Sequence, residues 1–206
     1  MRDEAGDVSG DISDSDLMRR TAEGDRDAFA LIYRKYHAIV YRFARLMTGS
    51  NEAAEDVVQE VFLALMRGAS RYDATRSTLS TYLYGSARHH IRRRLFRDRV
   101  FVPLDDSGPD LCCAPSGATA ADELARQRDV RDVRRAVLAL PARYREVIVL
   151  CDLHDLSYAD AAVAIGCAVG TVRSRLHRGR QLLMQKMQRS RACALAPAQP
   201  TVRCEV

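Results

Sequence analysis

Tryptophan is absent from this chain of 206 residues, and aromatic side chains make up only 6% of it. No run of eighteen or more apolar residues occurs, which argues against a membrane-spanning helix. The acidic start lacks the charged-then-apolar pattern of a signal peptide, so a cytoplasmic location without membrane insertion is expected. The six cysteines (Cys112, Cys113, Cys151, Cys167, Cys193, Cys204) form no C-x-x-C pair, and neither a disulfide framework nor a metal site is expected. Cys151 and Cys167 sit among apolar neighbours and read as core; Cys112 and Cys113 read as incidental residues of a loop. No alternating strand pattern and no internal repeat is visible. One further absence is local: after Arg173 no acidic residue follows until Glu205.

What is present suffices for one or two small helical domains, since 47% of the residues are hydrophobic. The net charge of +5 is modest, and its distribution says more. Residues 1–16 carry six acids against Arg2 and read as an acidic, disordered tail, bounded at residue 14. From Asp25 onward, Phe29, Ile32, Tyr33, Tyr36, Val40, Phe43 and Met47 recur at helical spacing up to Gly49. Ser50 or Asn51 caps a second helix with Val57, Val58, Val61, Phe62 and Leu65 inward, ending at Gly68. Leu79, Leu83, Ala87 and Ile91 define a third. Between Val100 and Leu124 the periodicity collapses into "PLDDSGPDLCCAPSGATA", a linker. Beyond it Val130, Val133, Val137 and Leu140 mark another helix, and Pro141 opens the next. The chain therefore reads as all-α: domains at 15–99 and 125–191, a linker at 100–124, and a disordered tail at 192–206.

Three surfaces invite a functional reading. In "SYADAAVAIGCAVGTVRSRL", Ser157 and Asp160 start a short helix. Ala162, Gly166 and Val172 have the spacing of a helix-turn-helix, with a small residue for close approach, a glycine for the turn and an apolar residue packing back. Val172, Leu176, Leu183 and Met187 would form the buried stripe of the second helix. That leaves Arg173, Ser174, His177 and Arg178 outward near its start, where such a helix enters the DNA major groove. A solvated basic face is the competing reading.

The second surface is Asp56, Gln59, Glu60 and Leu63, acceptors around an exposed apolar residue, which suits either a solvated face or a protein contact. The third is residues 88–99, with six arginines against Asp98. Tyr72, Tyr82 and Tyr84 lie just upstream and can stack on single-stranded bases or pack in the core.

The ordered combination of "DVVQEVF", "STYLYGSARHHIRRRLFR" and "LPARYREVIVLCDLHDLSYADAAVAIGCAVGTVRSRLHRGRQLL" resembles the bacterial sigma factors of the extracytoplasmic-function group over about residues 15–190, the linker excepted. The resemblance implies two helical domains, regions two and four, that bind core RNA polymerase and promoter DNA. It assigns Asp56, Gln59, Glu60 and Leu63 to the polymerase clamp. Arg71, Arg76, Ser77, Thr78, Tyr82, Arg88 and Arg92 fall to reading and melting the minus-ten element, and Arg173, Ser174, His177 and Arg178 to reading the minus-thirty-five element. It implies promoter-specific initiation under the control of an anti-sigma factor, by binding energy alone, with no catalytic group and no cofactor. Tyr82 stands where the family usually has tryptophan and His89 where it often has asparagine, which leaves the base preference open. A serine recombinase would need strands in the first half, and a two-domain regulator a ligand or phosphoryl-acceptor domain.

Overall fold

The computed structural model describes residues 12–101 and 120–195, with side chains over 12–95 and 129–188. Cys112, Cys113 and the prolines of the stretch read above as a linker lie outside the described residues. The ends of the 100–124 linker do not: helix extends to Phe101 and resumes at Ala120. Further along, helix continues to Leu195, into the tail expected to be disordered from residue 192. Among the described residues eight α-helices follow one another: α1 Asp14–Ala22, α2 Arg26–Thr48, α3 Asn51–Gly68, α4 Leu79–Phe101, α5 Ala120–Leu138, α6 Ala142–Ile148, α7 Tyr158–Ile165 and α8 Val169–Leu195. No strand occurs among them.

The helix ends follow from local chemistry. Asp25 caps α2 by accepting the N–H groups of Asp27 at 2.8 Å and Ala28 at 3.1 Å, which holds its carboxyl below the usual range. Gly49 ends α2 at φ 80°, where a side chain would be strained, and Ser50 caps α3 through the Ala53 N–H at 3.2 Å. Ser13 caps α1. Asp14 and Asp16, counted above with the acidic tail, thus open a helix: Asp14 binds Lys35 at 2.8 Å and the Tyr36 hydroxyl, while Asp16 pairs with Arg19.

α2 is the central element and packs against α1, α3 and α4 on one side and α5 and α6 on the other. Its buried stripe is Ala28, Ile32, Tyr36, Val40, Phe43, Ala44 and Met47. Phe29 and Tyr33, expected on that stripe, lie one residue further round the helix; Tyr33 is 39% exposed and faces α3. In α6 and the wide turn that continues it, Val149–Leu153, four consecutive residues from Val147 to Leu150 are buried. A helix apolar all round is surrounded, here by α2, α5, α8 and α7.

Val130 departs from its expected role. It is 68% exposed, whereas Val133, Ala136 and Val137 further along α5 reach the core. In α8 the stripe is Val172, Leu176 and Gly179, with Leu183 and Met187 half-buried. Cys151 and Cys167 are half-buried and pack at the edge of the core.

Candidate nucleic-acid interface

The helix-turn-helix forms as its spacing predicts. The Ser157 hydroxyl accepts the Asp160 N–H at 3.0 Å and donates to the Asp160 carboxylate at 2.5 Å. Gly166 ends α7 at φ 71°, and Ala162, Val172 and Leu176 are buried between the two helices. Arg173, Ser174, His177 and Arg178 are all exposed on the first turns of α8. They are not unsupported. Gln181 bonds both Arg178 and His177 at 3.1 Å, the Ser174 hydroxyl donates to the Thr171 carbonyl at 3.1 Å, and the Arg173 guanidinium lies 6.0 Å from the Tyr158 ring centre.

The arginine run is less unbalanced than the sequence implies. Arg180 makes a two-pronged ion pair with Asp152, 28 residues away, at 2.6 and 3.0 Å. Hydrogen bonding to that carboxylate raises the guanidinium pKa further. The wide turn after α6 delivers Asp152 to α8, so Arg180 braces the module where a phosphate or solvent contact is the simpler expectation.

The loop ahead of α4 is also prepared by its own residues. Asp73 accepts the backbone N–H and hydroxyl of Thr75 at 2.9 and 2.7 Å. The Tyr72 hydroxyl donates to the Ser77 carbonyl at 3.1 Å, and Thr78 receives the Thr81 N–H at 3.3 Å as a cap for α4. Arg71, Arg76 and Thr78 are exposed and Ser77 half-buried. Tyr82 is half-buried edge-on against Tyr72, with centroids 5.6 Å apart, and Arg92 is exposed. Arg88 is placed otherwise. Its side chain is 18% exposed with Nε 3.2 Å from Glu146 of α6. The N–H is not aimed at the oxygen, so this is an ion pair without a hydrogen bond. Tyr84, a candidate for base stacking, is buried with its hydroxyl 2.8 Å from His154 Nδ1.

The outer face of α3 divides in two. Asp56 and Glu60 turn towards α4, where Asp56 pairs with Arg94 and Glu60 lies 3.9 Å from His90, bordering a polar cleft of about 200 Å³. Burial lowers the His90 pKa against the opposing pull of Glu60. Leu63, expected to be exposed, is half-buried. It lines a groove of about 330 Å³ with Phe29, Tyr33, Phe62 and Met66, and Gln59 stands on the ridge between cleft and groove. Met66, 48% exposed, is the most exposed apolar side chain of that groove.

The described residues hold no cluster suited to a metal ion and no helix long and apolar enough to cross a membrane.

Comparison with known proteins matches residues 32–100 to Sigma-70 region 2 and residues 131–183 to Sigma-70, region 4. The ECF RNA polymerase sigma factor SigM of Mycobacterium tuberculosis is 34% identical over 175 residues, covering 83% of each chain. The chain belongs to the ECF sigma factors. SigW of Bacillus subtilis is 28% identical over 83% of this sigma factor and 95% of its own length. Among solved structures, RpoE of Bartonella quintana in complex with the anti-sigma factor NepR is similar with a TM-score of 0.64 at 25% identity, covering 78% of this chain and 96% of that one. CnrH in complex with the cytosolic domain of CnrY gives 0.61 at 23% identity, a likeness of fold, over 89% and 99%.

In this sigma factor the region 2 match runs from within α2 to α4, and the region 4 match from within α5 into α8. Sequence reading missed Asp152, Gln181 and Tyr158, which brace the α8 arginines, and Glu146 and His154, which meet α4. The partners of α4 lie 58 and 70 residues away from Arg88 and Tyr84 respectively, and no local pattern could have paired them.

His154 gives a pH prediction. Burial, reinforced by the positive charge of Arg42, pushes its pKa down from 6.5 to about 4, while Asp155 pulls the other way. Between those pH values the unfolded chain binds a proton that the folded chain refuses, so stability falls as pH drops from 6.5 to about 4. Melting temperatures across this window will show a shallower decline for His154→Asn than for the parent. Parallel profiles would mean that the folded imidazole is already charged.

Proposed function

We propose that this cytoplasmic sigma factor binds core RNA polymerase through region 2 and directs promoter-specific initiation by binding two DNA elements, without catalysis of its own. Gln59, Glu60 and Leu63, with Asp56 at the flank, serve the polymerase contact, the groove receiving apolar side chains and the acids supplying a hydrogen-bonding rim. The loop Arg71 to Thr78, with Tyr82, Arg88 and Arg92, reads and opens the minus-ten element. Arg173, Ser174, His177 and Arg178 read the minus-thirty-five element from the major groove, where arginine can bond guanine with two donors. Core polymerase holds the two domains at a set separation, so engagement of one element raises the effective concentration of the other.

The observation that carries this reading is the exposure of all four reading positions on the first turns of α8, behind a formed helix-turn-helix and in a chain of this family. By likeness to RpoE bound to NepR, an anti-sigma factor controls the chain.

The polymerase contact is tested by Gln59→Ala combined with Glu60→Ala. Both residues are exposed, so stability should change by no more than about 0.5 kcal/mol per site. Titration against core polymerase should show weakened binding, and run-off transcription should fall at limiting sigma factor. Unchanged affinity, or a clearly lowered melting temperature, would count against the clamp assignment.

A further inference from the structure

The loop between α3 and α4 is closed on itself without DNA. Tyr72 follows the short turn Ala69–Arg71 and donates its hydroxyl hydrogen to the Ser77 carbonyl at 3.1 Å, so one bond ties the two ends of residues 72–77. The Tyr72 ring is half-buried against the core and meets Tyr82 edge-on, centroids 5.6 Å apart. Burial, with Asp14 and Asp73 nearby, raises the pKa of the hydroxyl, which stays protonated and able to donate at neutral pH.

Inside this ring of chain lies a tighter closure. The Arg76 N–H donates to the Asp73 carbonyl at 3.1 Å, which makes residues 73–76 a β-turn, and the Asp73 carboxylate accepts the hydroxyl and the N–H of Thr75 at 2.7 and 2.9 Å. Those two bonds, with Arg76 adding its positive charge, hold the Asp73 carboxyl below the usual range. Ala69 and Leu79, on either side of the loop, are buried. Asp73, Ala74, Thr75 and Arg76 are all exposed. The loop is thus a solvent-facing tip on a fixed footing.

A segment that only connects two helices does not need its tip fixed, and fixing it costs backbone entropy. A tip that meets a ligand benefits, because ordering completed in folding is not repeated on binding. A rim of set shape also rejects partners to which a mobile one would adapt.

We propose that Tyr72 and Asp73 are positioning residues for minus-ten recognition: latch and turn hold residues 74–76 in one conformation, a preset rim that fixes the preference for an unstacked base at one position. This rests on reading the loop 71–78 as a minus-ten contact. Tyr72, grouped by sequence with the tyrosines that can stack on bases, acts from beneath the loop, since its hydroxyl is engaged by Ser77 and its ring lies against Tyr82 and the core.

The test uses holoenzyme and a promoter selected with the parent from a random library. Each minus-ten position is then varied through the four bases in a forked duplex whose non-template strand is unpaired there. Tyr72→Phe keeps the ring and deletes the latch. It should reduce the preference for the favoured base at one position by roughly two- to tenfold, the range that one hydrogen bond supplies. Affinity for core polymerase and discrimination at the minus-thirty-five element should stay as in the parent. A merely structural role would weaken all minus-ten sequences alike and leave their ratios unchanged, and that result overturns the latch.

Asp73 supplies an independent arm. Asp73→Asn retains a side-chain oxygen for the Thr75 N–H and should discriminate as the parent does, whereas Asp73→Ala should relax preference at the same position as Tyr72→Phe. Equal behaviour of asparagine and alanine, or a loss at a different position, overturns the turn's part in the rim. Ala74→Gly, Thr75→Gly and Arg76→Gly combined erase the tip itself. If this triple variant discriminates like the parent, the loop does not read the minus-ten element, and the proposal falls with that reading. If it loses discrimination while Tyr72→Phe and Asp73→Ala keep theirs, the reading stands and positioning alone is overturned.

Discussion

Arg173→Ala should lower holoenzyme affinity for the preferred minus-thirty-five duplex by about 1 to 3 kcal/mol, roughly 5- to 150-fold, and relax discrimination at one base pair. Arg173 is exposed on the first turn of α8, rests near the Tyr158 ring and has no ion pair to break among the described residues. Its removal should therefore leave the module folded. Binding to matched promoter variants across several salt concentrations separates base reading from charge: a base contact is lost at one position, whereas a phosphate contact is lost on all sequences and flattens the salt slope by about one unit. A uniform loss for Arg173→Ala would reduce the helix to an electrostatic anchor. Arg180→Ala is the contrast. Because Arg180 is committed to Asp152, its replacement should loosen the brace between α8 and the turn after α6, which thermal melting without DNA will register.

Phe43→Ala should cost about 3 to 5 kcal/mol of stability. Phe43 is 0% exposed, with its ring centre 5.3 Å from Tyr84 and 6.2 Å from His154. The substitution empties a site where both domains meet. Domains are stable by only about 5 to 15 kcal/mol, so the loss is a large share of the whole. A chain of this length should melt lower by roughly 6 to 20 °C. Denaturant titration of the parent, Phe43→Leu and Phe43→Ala checks this, with leucine expected between the other two. A cost below about 1 kcal/mol for alanine would mean that the ring does not fill a close-packed site.

Much of the fold was legible because helices advertise themselves locally. The stripes Val57, Val58, Val61, Phe62, Leu65 and Leu79, Leu83, Ala87, Ile91 are buried as their spacing requires, and Gly49 and Gly166 adopt the left-handed turns that end their helices. Where spacing misleads, a neighbour decides the outcome. Val130 has the helical spacing of a core residue, but no described element covers that part of α5. Period alone puts Tyr33 inside and Leu63 outside. The groove between α2 and α3 leaves Tyr33 exposed on its rim and half-buries Leu63, since a few tens of degrees around a helix separate a buried position from a rim.

The candidate site divides along the same line. Sequence by itself determined the helices, their caps, the turn of the helix-turn-helix and the outward position of Arg173, Ser174, His177 and Arg178. Each depends on residues within a few turns of one another, through backbone hydrogen bonds and the period of a helix. Only the tertiary structure decided that Arg180 answers to Asp152, that Arg88 faces Glu146, and that Tyr84 lies buried against His154. Those pairings bring together residues 28 to 70 positions apart. An ion pair or a buried hydroxyl carries no local signature of its partner, because coulombic attraction and packing depend on distance in space, which the chain fixes only when its helices dock.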